Sequence, residues 1–132
     1  MSNCPFCEND LLAPPAIVAA NDFAYAIRDI YPVTEGHTLI IPKRHVGSFF
    51  QLMVSEQQAV IALVNQQHTV LMEQLGMVDC NIGINDGPLA GQTLAHCHVH
   101  LIPRFRGDVD DPRGGVRWVI PDKADYWTFR LE

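Results

Sequence analysis

The chain has 132 residues, of which 48% are hydrophobic and 18% are charged, and its formal net charge at pH 7 is −6. These values predict one globular domain over residues 1–132 and argue against disorder. The chain carries no long basic run and no apolar run of about 18 residues, so we expect neither nucleic-acid binding nor a membrane span.

The first seven residues lack the charged-then-apolar layout of a secretion signal, so a reducing, cytoplasmic setting is expected. In that setting the 4 cysteines are predicted to be metal ligands or buried thiols rather than disulfides. Cys80 and Cys97 lie in apolar, strand-like contexts and are predicted to be inert core residues.

The first predicted regular elements are strands. A short apolar segment covers residues 16–20, and residues 23–30 are predicted to form a strand. The turn at residues 31–36 leads into a second predicted strand over residues 37–41, which Pro42 ends.

A long helix is predicted from Ser55 to about Leu75. Ser55 and Gln58 match the capping-box pattern, and Gly76 is a typical helix-ending residue. One side of the helix is apolar, with these members: Val60, Ile61, Val64, Leu71, Met72 and Leu75. His68 within the helix is assigned a structural or surface role.

A third strand is predicted over residues 78–84, followed by a turn at 85–88 and a strand over residues 93–103. In such a strand His96, His98 and His100 would share one face at spacings of about 7 Å. The intervening Cys97 and Val99 would then point into the core. A row of imidazoles suits metal binding, proton transfer or nucleophilic attack. The alternative is an ordinary strand with a polar outer face.

The order of these elements predicts an α+β domain with an antiparallel sheet. The C-terminal tail begins polar and rich in glycine, and its aromatic residues are Trp118, Tyr126 and Trp127. We expect these side chains to pack against the core, and a contact with a partner's site remains an alternative.

The stretch from Gly91 through the three histidines to Arg104 closely resembles the motif of the histidine triad (HIT) superfamily. Residues 85–88 and 36–45 resemble two further signature stretches of that family. The matching motifs lie within residues 1–104, whereas the tail over residues 105–132 carries none. The resemblance implies a HIT-like fold, with an antiparallel sheet, one long helix and a short N-terminal helical segment.

HIT proteins cleave a nucleoside 5′-phosphate from its leaving group through a nucleotidyl-histidine intermediate. The resemblance assigns the attack on phosphorus to His98 and a hydrogen bond to the phosphate to His100. It also assigns nucleotide or phosphate contacts to further positions: Asp29, His37, Asn85, Gly91, Gln92 and Thr93. Asp29 matches the family's ribose contact. For Asp29, Asn85 and Thr93 ordinary turn chemistry remains an alternative. The family commonly forms homodimers, which we therefore expect here.

Cys4 and Cys7 form a close pair of the kind that supplies half of many tetrahedral zinc sites. A redox role is less supported because no βαβ pattern follows the pair. His45 and His96 are the best candidates for the other ligands, and zinc-bearing HIT proteins resemble this layout. Such a closed shell would make the Zn²⁺ structural. Two unligated thiols remain the alternative.

The leading functional hypothesis is a nucleotidyl hydrolase or transferase acting on a small nucleotide. The residues His100 to Arg104 resemble the branches that hydrolyse dinucleoside polyphosphates, whereas the phosphoramidase branch commonly has a glycine pair at Pro103 and Arg104. Hydrolysis of nucleoside phosphoramidates, a nucleotide-binding regulatory module without turnover and a purely metal-binding protein are the alternatives.

Overall fold

The computed structural model describes residues 4–7 and 17–130. Within these residues, five strands form one antiparallel sheet in the order β1-β2-β3-β5-β4. The strands are β1 (Ile17–Ala20), β2 (Ala24–Arg28), β3 (Thr38–Pro42), β4 (Asp79–Ile84) and β5 (Val99–Arg104). The helices are α1 (Val54–Leu75) and the short α2 (Trp127–Arg130). None of the described helices is long and apolar enough to cross a bilayer.

One face of the sheet packs against α1 and forms the main core. The residues of this core come from the sheet, from the helix and from the segment before β5: Ala24, Ala26, Ile40, Val60, Leu63, Val64, Leu71, Cys97, Val99 and Leu101. Burial of each large aliphatic side chain stabilises the fold by about 1.5–3 kcal/mol. The predictions of an α+β fold and of a buried Cys97 are therefore confirmed.

The predicted N-cap of α1 is wrong by two residues, and the helix begins at Val54. Met53, rather than Ser55, is the N-cap, and its backbone N–H donates to the Glu56 carboxylate over 2.8 Å. Arg44 also donates to Glu56 over 2.8 Å, so the carboxylate is neutralised where it is buried. This ion pair favours Glu56 over Gln58 as the capping acceptor. At the other end Gly76 closes the helix with φ +65°, as predicted.

The opposite face of the sheet has two different coverings. Over β2 and β3, Cys4 and Phe6 pack on a second cluster of buried residues: Tyr25, Ile27, Leu39 and Ile41. Over β5 and β4, the face is covered by the tail that follows Arg104. Burial alternates along β5, so His100, Ile102 and Arg104 share this second face.

The strand predicted over residues 93–103 begins only at Val99. The segment before Val99 is fixed by other backbone hydrogen bonds. The Cys97 N–H donates to the Val46 carbonyl over 2.7 Å, and the His96 N–H donates to the Leu94 carbonyl over 2.8 Å. His96 and His98 therefore lie outside the strand ladder. The prediction of three histidines in one strand row is wrong.

The apolar segment at 16–20 belongs to β1, and the strands predicted over 23–30, 37–41 and 78–84 are confirmed with shifts at their ends. The expected N-terminal helical segment has no counterpart in residues 4–7, which form a turn, and residues 8–16 lie outside the described part. Trp118 and Tyr126 are each 47% exposed. The expectation that the tail aromatics fill the core is therefore wrong for these two residues.

Candidate functional site

A row of four rings crosses the second face of the sheet. Ring centroids are 5.2 Å apart for Phe6 and His98, 5.1 Å for His98 and His100, and 5.2 Å for His100 and His37. The row thus contains three histidines, but the third is His37, which directly precedes β3, rather than His96. Phe6 stands between the rings of His96 and His98, with its centroid 5.7 Å from that of His96.

The hydrogen bonding of His98 defines which nitrogen is free. Its Nδ1 lies 2.8 Å from the backbone oxygen of His96. A carbonyl oxygen can only accept, so Nδ1 carries the proton and donates. In the neutral ring Nε2 then holds the lone pair, which makes it the nucleophilic nitrogen.

A chain of hydrogen bonds sets the tautomers of His37 and His100. The Val33 backbone N–H donates to Nδ1 of His37 over 3.0 Å, so the proton of the neutral His37 ring is on Nε2. That Nε2 lies 3.0 Å from Nδ1 of His100 and donates to it. His100 is left with a proton on Nε2, which is a donor available to a ligand.

Burial keeps this pair neutral. It lowers the pKa of His37, an effect that the nearby Asp29 carboxylate partly opposes from 3.6 Å. Burial, followed by the charges of His98 and His37, lowers the pKa of His100 to about 4. The relay requires this neutrality, because a protonated Nδ1 on His100 cannot accept from His37.

Asn85 is the first residue after β4, and it is exposed beside the site. The next residue, Asp86, accepts from the Ser48 hydroxyl over 2.9 Å and from the Phe49 N–H over 2.8 Å. These two bonds fix the loop that carries Asn85 to the turn before α1.

Gln92 braces the same loop through its side chain. Its Oε1 accepts from the Gly87 N–H over 2.8 Å, and its Nε2 donates to the carbonyls of Gly47 and Leu94 over 2.9 and 3.0 Å. The backbone N–H groups of Gly91 and Gln92 bond inside the loop, at 3.0 and 3.1 Å. A phosphate contact through those two N–H groups would replace these bonds.

A second cluster lies on the other side of Phe6. The ligand atoms of Cys4, Cys7, His45 and His96 all lie within 4.8 Å of one another. Nδ1 of His96 is 3.4 Å from each sulfur and 3.1 Å from Nδ1 of His45, which is itself 3.1 Å from the Cys7 sulfur. A tetrahedron with Zn–N of about 2.0 Å and Zn–S of about 2.3 Å has N···N and N···S edges of about 3.3–3.5 Å. The cluster therefore has the size and donor set of a zinc site.

His96 is oriented for ligation by its other ring nitrogen. Nε2 donates to the Pro42 carbonyl over 2.7 Å, so the lone pair of the neutral ring is on Nδ1, which points into the cluster. Such an outer hydrogen bond is the usual partner of a metal-bound histidine. Burial also lowers the pKa of His96, which favours the neutral form that a metal requires.

A cavity of about 590 Å³ opens beside His37 and His100. It lies between the β4–β5 half of the sheet and tail residues of the segment 108–118. Asn85 also borders it, whereas the residues of the zinc-sized cluster do not.

Comparison with known families agrees with this geometry. The model of the HIT domain matches residues 12–107. The chain belongs to the HIT family. An uncharacterized HIT-like protein of Mycoplasma genitalium is 35% identical over 108 residues, which cover 79% of this chain and 74% of that protein. A bis(5′-adenosyl)-triphosphatase of Saccharomyces cerevisiae is 31% identical over 127 residues, covering 95% of this chain and 58% of the enzyme.

Solved structures of HIT proteins share the fold. A zinc-bound histidine triad family protein from Mycobacterium smegmatis has a TM-score of 0.71 and 30% identity, and the match covers 98% of both chains. A HIT family protein from Bacillus anthracis has a TM-score of 0.75 and 28% identity over 98% of this chain and 95% of that one. The expected HIT-like fold is therefore confirmed.

The structure brings most of the predicted HIT-site residues to one place. Four of them lie together at the second face of the sheet: His37, Asn85, His98 and His100. Asp29 lies next to His37. Thr93 is exposed on the loop before them. Sequence analysis missed the contributions of Phe6, Asp86 and the Val33 N–H. The position of Asp86, directly after Asn85, and that of Phe6, between Cys4 and Cys7, could have indicated these two residues. Nothing in the sequence indicates the hydrogen bond from the Val33 N–H.

Proposed function

We propose that this HIT protein is a hydrolase or transferase that cleaves a nucleoside 5′-phosphate from its leaving group through a covalent intermediate on His98. The orientation of His98 carries the proposal. Its Nδ1–H donates a hydrogen bond to the His96 carbonyl, and its ring makes T-shaped contacts with the rings of Phe6 and His100. Nε2 is thus held as a preoriented nucleophile next to a neutral donor.

The reaction has two balanced steps. First, the lone pair of Nε2 on His98 forms a bond to phosphorus, and the bond from phosphorus to the leaving atom breaks with its electron pair on that atom. An amine leaving group takes a proton from solvent. Water then attacks phosphorus, the N–P bond breaks back to Nε2, and a proton of the water goes to solvent.

The neighbouring residues have supporting roles in this proposal. The Nε2–H of His100 donates to a phosphoryl oxygen, where charge builds during transfer. His37 acts through His100 by holding its tautomer. Asn85, Thr93 and the loop at Gly91 and Gln92 surround the phosphate. Asp29 accepts from the ribose hydroxyls, and its distance of 3.6 Å from His37 puts it beside the row.

Two classes of leaving group follow from the family. The yeast relative, of which this chain spans 58%, acts on bis(5′-adenosyl) triphosphate by its name. Together with the residues from His100 to Arg104, this supports a dinucleoside polyphosphate as substrate. A nucleoside phosphoramidate is the second candidate.

We also propose that Cys4, Cys7, His45 and His96 hold a structural Zn²⁺. The cluster matches a tetrahedral shell in size and donor type, and the mycobacterial relative is zinc-bound. A closed shell of four protein ligands has no position for substrate. Its role would be to fix residues 4–7 against the segment that carries His98.

A cytoplasmic homodimer completes the proposal. Three apolar residues at the edge strand β4 are exposed. Ile82 and Ile84 in the strand are 49% and 38% exposed, and Val78 directly before it is 82% exposed. An edge strand with exposed apolar residues is suited to pairing with another copy. Light scattering of the purified chain tests the dimer.

The decisive experiment is to trap the intermediate. The chain is mixed with diadenosine triphosphate or adenosine phosphoramidate labelled in the α-phosphate, quenched in alkali, and analysed by intact mass. We expect an adenylyl adduct on wild type and none on His98→Ala, which should still bind AMP. AMP release by His98→Ala at the wild-type rate would overturn the mechanism, and AMP binding without any turnover by wild type would favour the regulatory module.

A further inference from the structure

The cavity beside His37 and His100 extends away from the expected nucleoside side of the site. Asp29 directly follows β2, whereas most of the cavity lies over Asn81, Ile102 and Arg104 of β4 and β5. Val33 and Thr34 of the loop between β2 and β3 also border it. Across the sheet, β3 and β5 separate β2 from β4. His100 borders the cavity, whereas His98 and Asp29 do not. With the ribose at Asp29 and the phosphate between His98 and His100, the part of the substrate beyond phosphorus would extend past His100 into this cavity.

The one arginine among the described lining residues is already neutralised. Arg104 donates through Nε and Nη2 to both oxygens of Asp108, over 2.8 and 2.9 Å, and through Nη1 to Asn81 over 2.7 Å. The guanidinium in turn holds the pKa of the Asp108 carboxyl well below its usual range, so the pair stays charged and closed. A second carboxylate, Asp111, also lines the cavity, and its partner Arg113 does not.

The remaining walls are largely apolar. Ile102 projects from β5, and Val109, Val116 and Trp118 project from the tail. The Trp118 indole N–H donates to the Arg113 carbonyl over 2.8 Å, which fixes the ring. A fixed indole and aliphatic walls suit a planar aromatic group, with which a ring can stack.

We propose that this cavity binds the leaving moiety of the substrate and that it selects an aromatic group without negative charge. The inference rests on the proposed function and chooses between its two leaving-group classes. A nucleoside di- or triphosphate leaving group would bring several negative charges into the cavity. Among the described lining residues no lysine or arginine is free to meet them, because Arg104 is paired with Asp108, and the other lining carboxylate, Asp111, is paired with Arg113. An aromatic amine released from a phosphoramidate can contact the apolar walls, and the two lining carboxylates are already paired with arginines.

The test compares substrates that differ only in leaving-group charge. Adenosine 5′-phosphoramidates of benzylamine and of 4-carboxybenzylamine share the reacting bond, and diadenosine triphosphate represents the polyphosphates. We expect wild type to prefer the benzyl over the carboxybenzyl compound by about tenfold in kcat/KM, because the carboxylate would lose water in the cavity without gaining a free cation. Diadenosine triphosphate should be a poorer substrate than the benzyl compound.

A pair of variants in one short helix locates the effect. A 3-10 helix in the tail covers Gly115–Val119. Val116 in this helix lines the cavity, whereas Val119 does not and is 77% exposed. Val116→Lys places a cation in the cavity and should reduce or reverse the preference against the carboxylate, whereas Val119→Lys should keep the wild-type ratio.

Each outcome separates the two proposals. Equal kcat/KM for the two amidates in wild type, or the same ratio in both lysine variants, would overturn the leaving-group assignment while AMP release upholds the mechanism. A preference for diadenosine triphosphate over the benzyl compound would also overturn it. No AMP from any of the three compounds would overturn the proposed function, and this inference with it.

Discussion

His37 and His100 face each other across β3 and β5, with 3.0 Å between Nε2 of one and Nδ1 of the other. Because the Val33 N–H occupies the remaining nitrogen of His37, this contact has one direction when both rings are neutral: His37 donates and His100 accepts. A backbone N–H outside the histidine motif thereby determines which nitrogen of His100 carries its proton.

The first prediction concerns this relay. Replacing His37 with Phe removes the donor and lets the His100 ring adopt the wrong tautomer. We expect kcat for AMP release to fall by about tenfold or more, the value of a lost hydrogen bond near the reacting centre, with little change in KM. His68→Phe on α1 is the matched control. An unchanged kcat in His37→Phe would remove the positioning role.

The second prediction concerns stability at acid pH. The pKa of His100 is lowered to about 4 in the folded protein, below that of an ordinary imidazole, so the unfolded chain binds more protons in the window between the two values. Stability must therefore fall as the pH drops from about 6.5 to 4, by up to about 3 kcal/mol from this residue.

Urea unfolding at a series of pH values checks this dependence. His100→Asn should show a shallower loss of stability over the same window. Protonation of the metal ligands affects both proteins alike, so the difference between the two curves reports His100 together with its hydrogen-bonded partner His37. Parallel curves would contradict the assignment.

The third prediction concerns the metal. The purified chain should contain about one zinc per molecule, and Cys7→Ser should lose most of it. We expect that variant to melt at least about 5 °C lower, because the binding energy of a structural metal is part of the folding free energy. Cys80→Ser, at a half-buried thiol outside the cluster, should keep its zinc. Metal analysis and calorimetry provide both readouts, and equal zinc in the two variants would exclude the site.

The fourth prediction concerns Phe6, which is buried and lies edge-on to the His98 ring at 5.2 Å. Phe6→Ala opens a gap beside the nucleophile and should lower kcat more than it changes KM. Phe6→Leu keeps most of the apolar volume, costs less than about 1.5 kcal/mol of stability, and should recover part of kcat. Zinc content is measured in both variants. Equal kcat in wild type and Phe6→Ala at full zinc occupancy would show that the ring does not position His98.

Much of the fold followed from local patterns. Alternating burial in β5 and the helix-ending Gly76 are properties of neighbouring residues, and the sequence displays them directly. The predicted apolar side of α1 is correct for Val60, Val64 and Leu71, which are buried, but wrong for Ile61 and Met72, which are 49% and 42% exposed. The cysteine pair and the histidine motif likewise identified the residues of the candidate site and the family.

The tertiary structure decided how those residues are grouped. His37 and His100 are 63 positions apart, and Cys4 and His96 are 92 apart, so strand register and long-range packing bring each pair together. That packing turned His96 toward the cysteines and placed His37 in its position in the row. It also brought Asn81 of β4 to the Arg104 guanidinium, which donates to it over 2.7 Å. Periodicity along a chain determines on which face of an element a side chain lies. Its hydrogen-bond partner and its protonation state depend on residues that only the folded chain brings into contact.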